Sequence, residues 1–272
     1  MSRTEREFDA FANEYDQLLR DPIRERFVGA DSQFFHVRKY DLIRDFYRRR
    51  ATDTKSLALL DIGCGRGELL KLLRDDFSEA AGCDLSQEML EGGRVAEAGV
   101  QVRLQTSPTN IPFEDRRFDL VTAVCVYHHV ALHDRDALTA EVRRVLKPGG
   151  VFALIEHNPY NPATRIIVSR TPVDADAILL RPITARRLVE RQGFRALDHR
   201  YFLYFPKGVY DRCKSLERVL GRVPLGGQYA LFCSFSGGQE KLLALSGRRS
   251  LMGSGRLPIA AQGSIPPHNG PY

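Results

Sequence analysis

The feature that most constrains this chain is a glycine-rich segment at residues 61–67, which reads DIGCGRG. It follows a short apolar run, 57–60, that predicts a strand, and it precedes a periodic segment, 68–74, that predicts a helix. Glycines let a backbone turn tightly and approach a ligand closely. A helix N-terminus adds unpaired N–H groups and the positive end of a dipole. The segment therefore predicts a cofactor-binding loop, although its G-x-G-x-G spacing differs from the G-x-G-x-x-G dinucleotide pattern.

Strand and helix patterns alternate along the chain around this loop. The run 118–126 is apolar nearly throughout, as expected for a parallel strand that is buried on both faces. Alternation of this kind implies right-handed βαβ units and a parallel sheet. The sequence therefore predicts an α/β fold, a doubly wound and mostly parallel seven-stranded sheet that follows N-terminal helices. The predicted strands are 57–60, 80–83, 100–104, 118–126, 151–155, 194–199 and 228–235.

The domain organisation follows from changes in composition. Residues 1–236 are predicted to form one domain, with its core at 56–156 and an irregular, proline-rich insertion at 157–182 on the substrate side. Residues 237–272 are rich in glycine, proline and serine, and they show little periodicity. Such a composition buries too little apolar surface to offset ordering, so this segment is predicted to be a disordered tail.

Four further motifs follow the glycine loop in a fixed order. The second predicted strand ends at Asp84, and the entry to the fourth strand, 111–121, reads IPFEDRRFDLV. That strand ends in VCVYHHV at 124–130, and LKPGG at 146–150 precedes the fifth strand. Together with the loop, these motifs resemble the class I S-adenosylmethionine (SAM)-dependent methyltransferases, in particular ubiquinone-type and other small-molecule enzymes. The resemblance implies a Rossmann-like fold and SAM as the cofactor.

The resemblance also implies which residues hold the cofactor. Asp84 is placed to accept two hydrogen bonds from a ribose diol, as in other doubly wound folds, although it also suits a helix cap. Many relatives have an acid five residues before the proline of the PF motif, where this chain has Ser107 instead. The predicted cofactor-binding residues are Asp61, Gly63, Cys64, Gly65, Gly67, Asp84, Leu85, Thr106, Ser107 and Val124.

Histidines at the predicted strand ends supply the candidate catalytic groups. In this fold the ligand crevice lies beyond the carboxyl ends of the strands, where His128, His129 and His157 fall. Methylation of oxygen or activated carbon requires removal of a proton, and histidine is the usual base near neutral pH. The alternative is that His129 only packs beneath the cofactor and that catalysis rests on proximity. Tyr127, Tyr160 and Arg165 are predicted to contact the acceptor.

The predicted activity is transfer of a methyl group from SAM to an oxygen or carbon of a small-molecule acceptor, lipid- or sugar-linked acceptors included. One alternative is a catalytically silent protein of the same fold that binds or regulates a partner, and another is a nicotinamide dehydrogenase. Residues 158–160 read NPY, but they follow the fifth strand and lack the second proline of amino-nitrogen methyltransferases. Nucleic acid is therefore not an expected partner.

Composition limits where the protein acts. The five cysteines form no C-x-x-C pair, which favours a reducing cytoplasm and argues against a metal site. The chain has no integral membrane segment, because no run of ~18 apolar residues occurs. Its first residues lack the apolar core of a signal peptide. Residues 200–272 hold ten Lys and Arg against three Asp and Glu, which suits either peripheral contact with a membrane surface or a solubilising basic edge.

Overall fold

The strands of this protein pair into one twisted sheet in the computed structural model, which describes residues 15–19, 21–28, 33–93 and 95–236. Within these residues the sheet order is β3-β2-β1-β4-β5-β7-β6, and only the pairs β5–β7 and β7–β6 are antiparallel. The predicted fold class is thereby confirmed. The strands are β1 (Ala58–Ile62), β2 (Glu79–Asp84), β3 (Gln101–Leu104), β4 (Phe118–Val124), β5 (Leu146–His157), β6 (Arg195–Phe202) and β7 (Gln228–Ser234).

Helices cover both faces of this sheet. A single helical turn, Tyr15–Leu18, precedes them, and short 3₁₀ turns occur at Arg74–Asp76, Ala96–Ala98 and Pro172–Asp174. The α-helices are α1 (Pro22–Val28), α2 (Gln33–Arg48), α3 (Glu68–Leu73), α4 (Gln87–Gly92), α5 (Arg135–Val145), α6 (Pro162–Arg170), α7 (Pro182–Arg191) and α8 (Lys207–Leu220). None of the described helices is both long and apolar enough to cross a membrane.

Side chains alternate along each strand and so divide the core between the two faces. In β1, Leu60 and Ile62 pack on the face that is covered by α5 and α7. Leu59 packs on the other face, against apolar residues of α2 and α3. There Phe46 of α2 stacks on Phe232 of β7, with ring centroids 4.1 Å apart. Burial on both faces explains why the central strands are apolar nearly throughout.

The insertion at 157–182 is more regular than the sequence predicts. Asn161 caps α6 by accepting a hydrogen bond from the backbone N–H of Thr164 at 2.9 Å. Pro162 occupies the first helical turn, where its fixed φ favours the helix and its missing N–H costs nothing. The segment predicted as irregular is thus partly helical, because three of its prolines, Pro162, Pro172 and Pro182, lie at helix starts.

The LKPGG motif at 146–150 belongs to β5 rather than to a turn before it. The pairing of β4 with β5 shifts register between Phe118 and Leu120, and Gly149 has a φ of 82°. This irregularity accommodates the Pro-Gly-Gly sequence inside a strand. The predicted tail, 237–272, lies outside the described residues.

Candidate active site

Four parallel strands, β1, β2, β4 and β5, end at the same edge of the sheet, because parallel strands share one direction. A cleft of about 480 Å³ opens at this edge, which is within the usual range for small-molecule sites. Its walls come from the loop after β1, the ends of β2, β4 and β5, and helices α1, α2 and α6. The sheet therefore brings the glycine loop and the strand-end histidines into one cavity.

The three glycines of the loop all have left-handed backbone conformations, with φ values of 63° at Gly63, 53° at Gly65 and 69° at Gly67. A Cβ at Gly63 would lie 2.6 Å from Val126, and one at Gly67 would lie 2.2 Å from Val95. A Cβ at Gly65 would meet no protein atom within 4 Å, and Gly65 lines the cleft. Packing thus requires glycine at two positions, while Gly65 leaves open space beside the backbone for a ligand.

Asp84, at the end of β2, holds this loop in place. One of its carboxylate oxygens accepts a hydrogen bond from the backbone N–H of Gly65 at 2.8 Å, and the other accepts one from Ser86 N–H at 2.9 Å. The side chain of Ser86, and not that of Asp84, caps α4 by accepting from Met89 N–H at 3.1 Å. The alternative that Asp84 serves as the helix cap is therefore wrong.

Asp61 lies beneath the loop and is only 3% exposed. Its carboxylate accepts a hydrogen bond from the hydroxyl of Thr122 at 2.5 Å. Burial raises the pKa of Asp61 to about 7, although the bond from Thr122 and the charge of Lys39 oppose the rise. Lys39 comes from α2 and lines the cleft, so the N-terminal helices contribute a buried cation to the cofactor side.

Most of the predicted cofactor-binding residues line the cleft. Gly67, Thr106 and Ser107 do not, and Gln105 lines it next to Asp84 instead. The backbone N–H of Gln105 donates to the carbonyl of Asp84 at 2.7 Å, so β3 pairing sets its position. Burial raises the pKa of the Cys64 thiol well above its usual value, which makes this thiol a packing group rather than a nucleophile. The predicted residues in the lining are Asp61, Gly63, Cys64, Gly65, Asp84, Leu85 and Val124.

The histidines that follow β4 and end β5 form a cluster at the opposite side of the cleft. The ring centroid of His128 lies 4.1 Å from that of His129 and 5.2 Å from that of His157. Glu156, which is fully buried in β5, lies 2.6 Å from Nδ1 of His128. Its second carboxylate oxygen accepts a hydrogen bond from the backbone N–H of Tyr127 at 2.8 Å. Glu156 therefore fixes both the ring of His128 and the chain that follows β4.

The three imidazoles differ in pKa and therefore in charge. Burial alone lowers the pKa of His128, but Glu156 and then Asp174 raise it to about 10. Burial, together with the neighbouring His128 charge, lowers the pKa of His129 and of His157 to about 4. At neutral pH His128 therefore carries a proton, while His129 and His157 are neutral and are weaker bases than free imidazole.

Asp174 completes the cluster and was missed in the sequence. It lies in the 3₁₀ turn after α6, and its Oδ1 is 3.4 Å from Nε2 of His128 and 3.4 Å from Nε2 of His129. No spacing in the sequence connects it to these histidines, because α6 intervenes. Only the path of the insertion brings this carboxylate to the two histidines in the cleft.

The predicted acceptor contacts do not line the cleft. Tyr127 is fully buried in the core, and its hydroxyl lies 3.1 Å from that of Thr139. Residues 127–129 form a turn after β4, in which Tyr127 packs into the core against α5 while His128 and His129 reach the cleft. Tyr160 and Arg165 are exposed at the start of α6. The apolar part of the cleft lining includes Ile23, Phe27, Phe35, Ile167 and Val173, and Thr164 lies beside them.

Comparisons with known proteins show what this chain resembles. Residues 60–154 match the family model described as a methyltransferase domain. A ubiquinone/menaquinone biosynthesis C-methyltransferase of Desulfotalea psychrophila is 31% identical over 60% of this chain and 61% of its own length. A SAM-dependent methyltransferase of Archaeoglobus fulgidus superimposes with a TM-score of 0.53 at 21% identity, over 75% of this chain and all of that one. A solved [4+2]-cyclase superimposes with a TM-score of 0.52 at 20% identity, over 74% of this chain and 82% of its own.

Residues 60–154 thus resemble a methyltransferase domain, and the solved structures that share this fold include SAM-dependent methyltransferases, whose cofactor is SAM. The whole chain spans between 49% and 61% of the length of three curated relatives that it matches. The cleft fits the cofactor in two respects. The open space at Gly65 admits a ligand against the backbone, and the carboxylate of Asp84 lies where a ribose diol is held in doubly wound folds.

An Asp84→Ala variant should bind SAM more weakly by about 1.5–3 kcal/mol, the range for loss of hydrogen bonds to a charged group. The loss has two sources, the missing acceptor for the ribose and the released N–H of Gly65. Titration calorimetry with SAM measures it. Ser86→Ala is the matched control, since it removes the α4 cap and lowers the melting temperature while leaving SAM affinity unchanged. Equal SAM affinity in wild type and Asp84→Ala would remove Asp84 from the site.

Proposed function

We propose that this chain transfers a methyl group from SAM to an oxygen or carbon of a small, largely apolar acceptor. The observation that carries the proposal is the presence of two neutral imidazoles, His129 and His157, in the same cleft as the glycine loop. The family supports the methyl donor, and the name of the Desulfotalea relative supports a carbon acceptor of the quinone type. The apolar residues of α1, α2 and α6 on the acceptor side favour a hydrophobic substrate.

Each group of residues has a part in this reaction. When bound, SAM supplies an electrophilic methyl group on a sulfonium ion. Gly65 and Asp84 orient the donor, and the apolar wall positions the acceptor and excludes water. The bound donor would give up its methyl group to the acceptor atom and would leave as the thioether, which keeps the electron pair of the carbon–sulfur bond. The acceptor proton passes to the neutral ring of His129 or His157, while the charged pair of His128 and Glu156 stays fixed below.

We expect purified protein to form S-adenosylhomocysteine from SAM when a small-molecule extract supplies the acceptor. His129→Ala should then lower turnover by ~10²-fold or more with SAM affinity intact, the usual contribution of a positioned base. Chromatographic measurement of S-adenosylhomocysteine gives the rate, and calorimetry gives the affinity. The matched control is His133→Ala, because the side chain of His133 is 84% exposed and pairs only with Asp134 at the surface.

Two results would contradict this proposal. Near-normal turnover in His129→Ala would exclude base catalysis by that residue and would assign the step to His157 or to proximity alone. SAM binding without turnover on any extract would favour the alternative, a silent protein of the same fold that binds or regulates a partner. The [4+2]-cyclase with this fold shows why the fold alone does not fix the reaction.

We also propose a cytoplasmic location, which the free thiols of all five cysteines support. Peripheral contact of the basic C-terminal third with a membrane surface stays a prediction, since much of that third lies outside the described residues. No described feature supports nucleic acid as a partner.

A further inference from the structure

The cluster that His128, His129 and Asp174 form was not expected, because the sequence argues against a metal. We propose that these three side chains bind one divalent transition-metal ion of the zinc type in the floor of the cleft. The inference starts from their donor atoms, one ring nitrogen of each histidine and a carboxylate oxygen of the aspartate, which all lie within 4.8 Å of one another. No other such group occurs among residues 15–19, 21–28, 33–93 and 95–236.

The distances match those around a small metal ion. Zinc binds imidazole nitrogen and carboxylate oxygen at about 2.0–2.2 Å in tetrahedral sites, so neighbouring donor atoms lie about 3.4 Å apart. Asp174 Oδ1 lies at that separation, 3.4 Å, from Nε2 of His128 and from Nε2 of His129. Two edges of the coordination polyhedron are therefore already formed.

The surroundings of the first histidine add independent support. Histidines that bind metals almost always donate their other ring N–H to a carboxylate or carbonyl, which fixes the ring. Glu156 lies 2.6 Å from Nδ1 of His128 and so directs Nε2 toward Asp174. Glu156 and Asp174 bring two carboxylates to the same buried cluster. Metal binding would displace the Nε2 proton of His128 to solvent, and the divalent cation would then neutralise both carboxylates.

The donor set selects the kind of metal and leaves room for a ligand. Two imidazoles and one carboxylate suit zinc, cobalt, iron(II) or manganese, whereas calcium and magnesium prefer oxygen donors alone. Three protein ligands with an open fourth position are typical of catalytic rather than structural zinc sites. All three ligands line the cleft, so the open position faces the space for the acceptor.

The role of the ion rests on the proposed function, whereas the site itself does not. In the cleft, the metal would bind an acceptor oxygen and favour loss of its proton. His129 would then act as a ligand, and His157 would remain as the neutral imidazole that takes the proton to form the imidazolium. His157→Ala should in that case lower turnover while metal affinity stays unchanged.

The test uses the full chain after treatment with a chelator and removal of that chelator. Titration with Zn²⁺ by calorimetry, and with Co²⁺ by visible absorption, should show one ion bound per chain. Asp174→Asn and His129→Asn should each weaken binding by at least ~10-fold, and Glu156→Gln by ~10–100-fold. His133→Asn is the matched control, because it changes an exposed histidine beside an acid, and it should bind the ion as wild type does.

The outcomes separate this inference from the proposed function. Failure of wild-type protein to bind Zn²⁺ or Co²⁺ overturns the site, and so does wild-type affinity in both Asp174→Asn and His129→Asn. SAM binding and turnover are measured on the same samples, so methyl transfer by protein that fails to bind Zn²⁺ or Co²⁺ overturns the site and leaves the proposed reaction standing. Bound metal without methyl transfer overturns the proposed reaction and leaves the site standing. Turnover equal with and without the bound ion overturns its role at the acceptor.

Discussion

A Gly65→Val variant is expected to lose at least ~100-fold in SAM affinity, which corresponds to about 2.7 kcal/mol. No protein atom lies within 4 Å of the Cβ position at Gly65, so the protein itself has room for the new side chain. The volume that it fills belongs to the cleft, where the cofactor approaches the backbone. Calorimetry with SAM measures the loss, and circular dichroism checks that the fold persists.

Backbone strain must be separated from this steric effect, because Gly65 has a φ of 53°. A side chain in the left-handed region costs about 1–2 kcal/mol whatever surrounds it. Gly99→Val is the matched control, since Gly99 has a φ of 76°, no neighbour within 4 Å and no part in the cleft. Both variants should lose similar stability, and only Gly65→Val should lose SAM. Equal SAM affinity in the two variants would show that the loop does not contact the cofactor.

Glu156→Ala is expected to lower the free energy of unfolding by about 3–5 kcal/mol, the cost of leaving a buried charge without its partner. Glu156 is fully buried and serves both His128 and the backbone N–H of Tyr127. Urea unfolding in the presence of a chelator measures the loss without a contribution from metal. Glu156→Gln is the control that keeps an acceptor for Tyr127 and removes only the charge, so it should be destabilised less.

The loss of stability in Glu156→Ala should depend on pH in a defined direction. The partner carboxylates raise the pKa of His128 from 6.5 to about 10 against the effect of burial, so its contribution is complete below about pH 6.5 and is lost as pH rises through about 10. His128 lowers the pKa of Glu156 in spite of burial, so that contribution is lost as pH falls below the usual value of 4.5. The difference in the free energy of unfolding between wild type and Glu156→Ala should therefore be larger at pH 6 than at pH 10. A difference that grows toward pH 10 would contradict the ion pair of His128 with Glu156.

Most of the residues predicted to bind the cofactor line the cleft, and their positions were predictable because they depend on local sequence. The residues 61–67 carry their own turn, helix start and glycine positions, and Asp84 follows directly on a recognisable strand. After β3, pairing with β2, rather than the PF motif, sets which residue reaches the cleft. Gln105 lies there in place of Thr106 and Ser107 because its N–H bonds to the end of β2.

The acceptor half could not be predicted in the same way. Tyr127 and His128 are adjacent in sequence, and only the direction of the chain after β4 sends one side chain into the core and the other into the cleft. Asp174 lies 45 or more residues beyond the histidines that it meets, on a segment whose prolines suggested a loop. No periodicity or spacing encodes such a contact.

The sequence by itself determined the doubly wound fold, the glycine loop, the acid at the end of β2 and the histidines at the strand ends. Each of these depends on neighbours within a few residues or on strand direction, which parallel pairing fixes for the whole sheet. The tertiary structure alone decided the charge states of the three histidines, the ion pair of His128 with Glu156 and the meeting of both with Asp174. Those properties depend on burial and on distances between segments far apart in the chain, which local pattern does not specify.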